Sequence, residues 1–189
     1  MELEEIDPHK YDAWNNLALN LAIACWAIGI LVVIGYFVKL SSTGGSKNKY
    51  DFINKHEINA LWIASIILIL GGCFFSNANV IELTTLWIFV RVFTTTMIAI
   101  LVAMIIQNLL KFYYPFFIER RLKVLRYKPR KKKKTGKPMK LLSEEEEDVH
   151  LAEGMQAEEN VFSIDYDVWM DEKSGEVKIE KYPGHLQAL

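Results

Sequence analysis

The 189-residue chain is 51% hydrophobic, and its 22 Lys and Arg nearly balance 23 Asp and Glu, leaving a formal charge of −1. That length accommodates one or two domains, but residues 1–110 carry nearly all the long apolar runs and residues 111–189 most of the charge. Such a division excludes an evenly mixed soluble domain and predicts a membrane half followed by an aqueous half.

Residues 1–16, "MELEEIDPHKYDAWNN", form a net acidic N-terminal arm. No A-x-A-like site follows, so the first apolar run does not fit a cleaved signal peptide. Three apolar runs cover about 17–38, 58–77 and 80–106. Crossing a bilayer takes about 20 mostly apolar helical residues, and each run is long enough. Residues 17–110 therefore read as a three-helix transmembrane domain. Cys25 and Cys73 fall inside spans and read as small packing residues, not as metal ligands or a disulfide pair.

Basic residues sort the connections. The segment "KLSSTGGSKNKYDFINKHE" between the first two spans holds four lysines, "KFYYPFFIERRLKVLRYKPRKKKK" follows the third, and "SNAN" is uncharged. The positive-inside rule then places the N-terminus outside and the C-terminal half in the cytoplasm. Trp14, Tyr36 and Trp87 lie near span boundaries, where aromatic belts form.

Arg91 falls near the middle of the third span. Centring a charge there costs at least about 2.5 kcal/mol, so its side chain must face protein, water or a lipid headgroup. Thr84, Trp87, Arg91, Thr94 and Thr95 share one broad helical face. They read either as an ion or proton pathway or as a subunit contact in which Arg91 meets a carboxylate or carbonyls. Glu82 is nine residues from Arg91 and half a turn out of phase, so the two cannot pair along one helix. An acceptor on another chain is expected, which is the main argument for partner subunits.

Residues 111–130 continue a helix-compatible pattern that Pro115 should kink or interrupt. They read as a basic interfacial segment, with Arg120, Arg121, Lys123, Arg126, Arg130 and Lys131 against anionic headgroups. Each such contact is worth on the order of 1 kcal/mol.

Residues 131–189 read as a small folded α+β module. "LLSEEEEDVHLAEGMQAEEN" predicts one amphipathic helix, with Ser143 and Glu146 as a capping box and Gly154 interrupting or ending it. Alternation at Phe162, Ile164, Tyr166 and Val168 predicts a strand, and "EVKIEKY" after the turn "DEKSG" predicts a second. The chain stops at "GHLQAL" within what reads as an ordered region, so native residues beyond Leu189 are expected.

The stretch "MKLLSEEEEDVHLAEGMQAEENVFSIDYDVW" resembles the zinc-ribbon module of bacterial membrane proteins associated with the TPM domain family. In that family a C-P-x-C-G-x-x-M knuckle precedes the L-S-E-E-E-E-D helix, and a Y-D-V-W strand leads to a second C-x-x-C-G knuckle. The likeness covers roughly residues 126–182 and carries no activity, because residues 1–110 do not look like a TPM domain. Lys132 and Thr135 stand at the first pair of cysteine positions, Asp171 and Ser174 at the second, while Gly136, Met139 and Gly175 fit. His150 and His185 do not match ligand positions. A structural zinc site needs thiolate or imidazole ligands, so the resemblance implies a ribbon-like module without metal or other cofactor. It also implies a bacterial cytoplasmic membrane.

No phosphate-binding glycine loop, H-E-x-x-H pair or nucleophile elbow is present, so no enzyme is expected. The basic run adjoins a membrane and lacks a reading helix, so lipid headgroups are expected as partners rather than nucleic acid. The expected function is a non-catalytic subunit of a larger membrane complex, docking with other integral membrane subunits or with copies of itself. The alternative is an ion- or proton-conducting motor subunit. Its outside-N, inside-C, three-span layout is similar to the ExbB/TolQ family, although that family has a larger domain between the first two spans.

Overall fold

The computed structural model describes residues 9–78, 80, 85–131, 136–162 and 164–184. It resolves two compact units. One holds the long helices as far as Leu122, and the other begins at Lys123 and takes in Gly45–Lys47.

In the first unit, α1 (Asp12–Ser42) and α2 (Ser46–Ser76) are 31 residues each, and α3 spans Thr85–Asn108. A five-residue π-helical turn, Leu109–Tyr113, carries α3 into α4 (Tyr114–Arg126). Three helical stretches, Asp12–Ser42, Ser46–Ser76 and Leu86–Arg126, are long and apolar enough to cross a bilayer. The expected long connection between the first two spans is replaced by a tight turn at residues 43–45, with Gly45 at φ 81°. "SKNKYDFINKHE" is instead the opening three turns of α2, about 18 Å of helix ahead of the apolar stretch.

Two seven-residue ladders explain how α1 meets α2. On α1 the buried positions include Ala22, Gly29 and Tyr36; on α2 they include Glu57, Ala64 and Gly71. Spacing by sevens is the signature of a continuous helix–helix seam, and small residues let the backbones approach closely. A Cβ at Gly71 would stand 2.5 Å from the Trp26 ring, and one at Gly29 would stand 2.9 Å from Leu68. Neither position admits a larger residue without displacement.

Pro115 does not break the helix. A proline removes one backbone donor and its ring presses on the carbonyl four residues back. Here the π turn sits immediately ahead of Pro115 and widens the coil, so the helix continues with its phase shifted. The expected kink is thereby absorbed as a change of register.

In the second unit, β1 (Lys140–Leu141), β2 (Ile164–Met170) and β3 (Val177–Pro183) form an antiparallel sheet in the order β1-β2-β3. The expected single helix is two: α5 (Glu144–Glu147) and α6 (Glu153–Asn160), parted by residues 148–152. Gly154 lies inside the first turn of α6 rather than at a break. The Ser143–Glu146 capping box forms as the spacing predicts. Phe162 leaves the strand pattern, sitting exposed in a turn at φ 53°. Leu142, Leu151, Tyr166 and Val168 make the core of one sheet face, joined by Met155, Ile164, Met170 and Val177.

Candidate functional site

Three polar clusters stand out, two in the helical unit and one in the sheet unit. The first lies at the α2–α3 end of the bundle. Arg91 donates from Nε to the Ser76 carbonyl at 2.9 Å and from Nη2 to the carbonyls of Ser76 and Ala78, the latter at 2.8 Å. These carbonyls lie at the C-terminus of α2, where the helix leaves acceptors unsatisfied and carries partial negative charge. The acceptors expected from a neighbouring chain are thus supplied from within this one. Asn77 Nδ2 donates to Thr95 Oγ1, Trp14 Nε1 to the Asn77 carbonyl, and Asn15 exchanges two bonds of 2.8 Å with the Val80 backbone. Thr94 and Thr95 return their own hydroxyls to backbone carbonyls of α3. Glu82 and Thr84 lie outside the described residues.

The second cluster is not among the sites that the residue pattern predicts. Glu57 is only 2% exposed, and three donors from two other helical segments converge on its carboxylate. Tyr36 of α1 donates to Oε2 at 2.5 Å, while Tyr114 donates to Oε1 at 2.6 Å and Arg121 at 2.7 Å. Tyr114, Ile118, Arg121 and Leu122 share one face of α4, and Ile118 and Leu122 are buried on it. The π turn sets the phase that aims this face at Glu57. A buried carboxylate is tolerated where its oxygens are bonded and its charge is paired. Here both conditions are met, so α1, α2 and α4 are clamped together at the α1–α2 end.

The third cluster covers the second face of the sheet. Register places Asp167 directly opposite Glu180, a like-charge pair that is destabilising by itself. Two arginines neutralise it. Arg126 forks onto Asp167 and reaches Asp165, with Nη2 to Asp167 Oδ1 at 2.7 Å. Arg130, 5% exposed, bonds Glu180 Oε2 through Nε and Nη2 at 2.9 and 2.6 Å. Its Nη1 holds the carbonyls of Leu125 and Lys128. Arg126 lies over the Tyr182 ring at 4.6 Å and Arg130 over Trp169 at 4.9 Å, a stacked arrangement that suits the flat guanidinium. Burial opposes ionisation of Glu180, but hydrogen bonds from Arg130, Lys178 and Tyr182 outweigh it and draw the carboxyl down to about 2. Glu147, at the end of α5, behaves oppositely. Burial pushes it up to about 7, against one bond from the Val168 N–H and with Glu159, Asp167 and Glu144 nearby.

Among the cations expected to face lipid, Arg121 is instead committed to Glu57, Arg126 to Asp165 and Asp167, and Arg130 to Glu180. Arg120, Lys123 and Lys131 are exposed. Among the knuckle positions, Gly136 and Gly175 adopt φ +66° and +67°, the left-handed turns that glycine favours. Ser174 Oγ donates to Asp171 Oδ2 at 2.7 Å, tying the two positions to each other. Lys132 and Thr135 lie outside the described residues. Residues 137–140 and 170–173 line one common hollow, so the two turns lie side by side. No protein-family model matches the chain, and no curated protein or solved structure is significantly similar to it.

Proposed function

We propose that this chain is a non-catalytic integral membrane subunit that docks in a larger bacterial assembly through its helices and a metal-free, ribbon-like cytoplasmic module. One observation carries the reading. The polar side chains that an ion pathway along α3 would use, Arg91, Thr94 and Thr95, are bonded to carbonyls or amides of this chain. Arg91 and Thr95 fasten α3 to the end of α2, and Thr94 bonds within α3, so each has a structural bonding role. Meanwhile the most apolar stretch of Leu86–Arg126 has no fully buried side chain, so beyond the half-buried stripe that includes Arg91, Thr95 and Ala99 its surface is left for lipid or for neighbouring helices.

The paired left-handed glycines and the adjoining turns support descent from a zinc ribbon. Asp171 and Ser174 do not fit as structural zinc ligands, since neither offers a thiolate or imidazole. Orientation follows from the lysines of the α1–α2 end and of residues 126–140, which favour the cytoplasmic side. The test is extraction into nanodiscs, identification of co-purifying membrane proteins, and reconstitution for proton and ion flux. A stable assembly without flux supports the subunit reading. Flux that Arg91→Gln abolishes while assembly persists would sink it.

A further inference from the structure

Between α2 and α3 a groove of about 250 Å³ opens toward the surrounding medium. Its α2 wall includes Gly72, Cys73 and Ser76, and its α3 wall includes Thr95, Ala99 and Val102. Ile69, Gly72 and Ser76 recur at three and four residues with Cys73 beside them, and Thr95, Ala99 and Val102 at four and three, so each wall is a single helix face. The walls are mostly apolar and low. A Cβ added at Gly72 would meet nothing within 4 Å, so the missing side chain is open space rather than a packing contact. A slot of this volume takes a slender chain; a second helix, about 10 Å across with its side chains, does not fit.

Arg91 stands on the same α3 face, one turn beyond Thr95, and its guanidinium touches the carbonyl of Ser76, which lines the groove's end. It is six residues into α3, or about 9 Å along the axis. Long basic side chains reach headgroup depth over such distances. Nε and Nη2 are used on the α2 carbonyls, whereas Nη1 donates to no group among the described residues. Among the described residues, this full positive charge meets only the partial negative charge of a helix end. The unused edge of the fork is suited to phosphate oxygens.

We propose that this groove binds one anionic phospholipid from the leaflet bordering the α2–α3 connection, with an acyl chain along Gly72 and Ala99 and the phosphate at Arg91. Charge complementarity selects the headgroup, and the slot holds the tail. Neither contact involves the clamp at Glu57 or the sheet unit, so the site stands independently of the docking reading above.

The test uses the full chain, delipidated in neutral detergent and titrated with phosphatidylglycerol or phosphatidylcholine under native mass spectrometry. One phosphatidylglycerol should be retained per chain, at least tenfold more tightly than phosphatidylcholine. Arg91→Gln should erase that preference, and Gly72→Leu, which fills the slot and leaves Arg91 in place, should weaken both lipids about tenfold. Should Arg91→Gln fail to fold, Arg91→Lys and Gly72→Leu decide the matter: Lys keeps the preference and Leu loses retention. Equal retention of the two lipids by the unaltered chain, or affinities within twofold after Gly72→Leu, overturns the proposal. So does a Cys73–Cys73 cross-link between copies in a Cys25→Ser background, because a protein would then occupy the groove.

Discussion

Replacing Glu57 by Ala removes the acceptor at which α1 and α4 meet α2. The Tyr36 hydroxyl, on a residue 7% exposed, then loses its acceptor in a dry site, which costs about 1–3 kcal/mol. Arg121 loses its carboxylate, but its side chain is 45% exposed and can rehydrate, so its share is discounted to about 1 kcal/mol or less. Tyr114, partly exposed, adds about 0.5–1 kcal/mol. The sum is a destabilisation of about 3 kcal/mol, within the range for breaking a buried ionic network. Reversible SDS titration in bicelles, followed by tryptophan fluorescence, measures it. Tyr36→Phe alone should cost about 1 kcal/mol and should cost nothing further once Glu57 is absent, so a double-mutant cycle returns a coupling of about 1 kcal/mol. Strict additivity, or a Glu57→Ala variant within about 0.5 kcal/mol of the parent, would refute the clamp.

Neighbouring glycines should respond in opposite ways. Gly71→Val drives a side chain into Trp26 and should destabilise by about 1–3 kcal/mol, whereas Gly72→Ala meets open space and should be neutral or stabilising by up to about 1 kcal/mol, both read by the same titration. Glu180→Ala leaves Arg130 buried without its carboxylate and should cost about 3–5 kcal/mol, visible as faster hydrogen exchange across Val177–Pro183. The two carboxyls of the sheet unit give opposite pH trends. Glu180 is depressed from 4.5 to about 2, so its contribution is complete above pH 4.5 and disappears as pH falls toward 2. Glu147 is raised from 4.5 to about 7, so the sheet unit is firmest below pH 4.5 with respect to this group and loosens as pH rises through 7. Glu147→Gln should remove the latter trend, measured as exchange at the Val168 amide between pH 5 and 8.

How far these features can be read from the residues depends on what each leaves in the sequence. The spans and the β2–β3 hairpin are legible, because apolar length and the alternation of Ile164, Tyr166 and Val168 reflect local burial. The acceptors of Arg91 are not, since backbone carbonyls have no residue identity to read. The clamp is hidden for a different reason: "NKHE" reads as the end of a charged loop. Its signal lies in the seven-residue spacing of Glu57, Ala64 and Gly71, which carries the seam of α2 beyond the continuous apolar run that starts at Ile58. The arginines show the limit of counting charge. Arg126 and Arg130 look like a membrane anchor beside the lysine run, yet their carboxylates lie 39 to 50 residues downstream. Only the cross-strand register that sets Asp167 against Glu180 explains why those two cations are drawn inward.

The π turn at Leu109–Tyr113 has an implication for how this sequence can vary. The rod formed by α3 and α4 is pinned to α2 at both ends, by Arg91 near Ser76 and by Tyr114 and Arg121 at Glu57. Between two fixed points, a substitution changes one side chain, but an inserted or deleted residue turns everything beyond it by about 100°. Removing one residue from the π turn would restore a plain α-helix and swing Tyr114 and Arg121 off the carboxylate. This segment should therefore tolerate spelling changes and resist changes of length, with the extra residue of the π turn acting as a reading-frame correction between its two anchors.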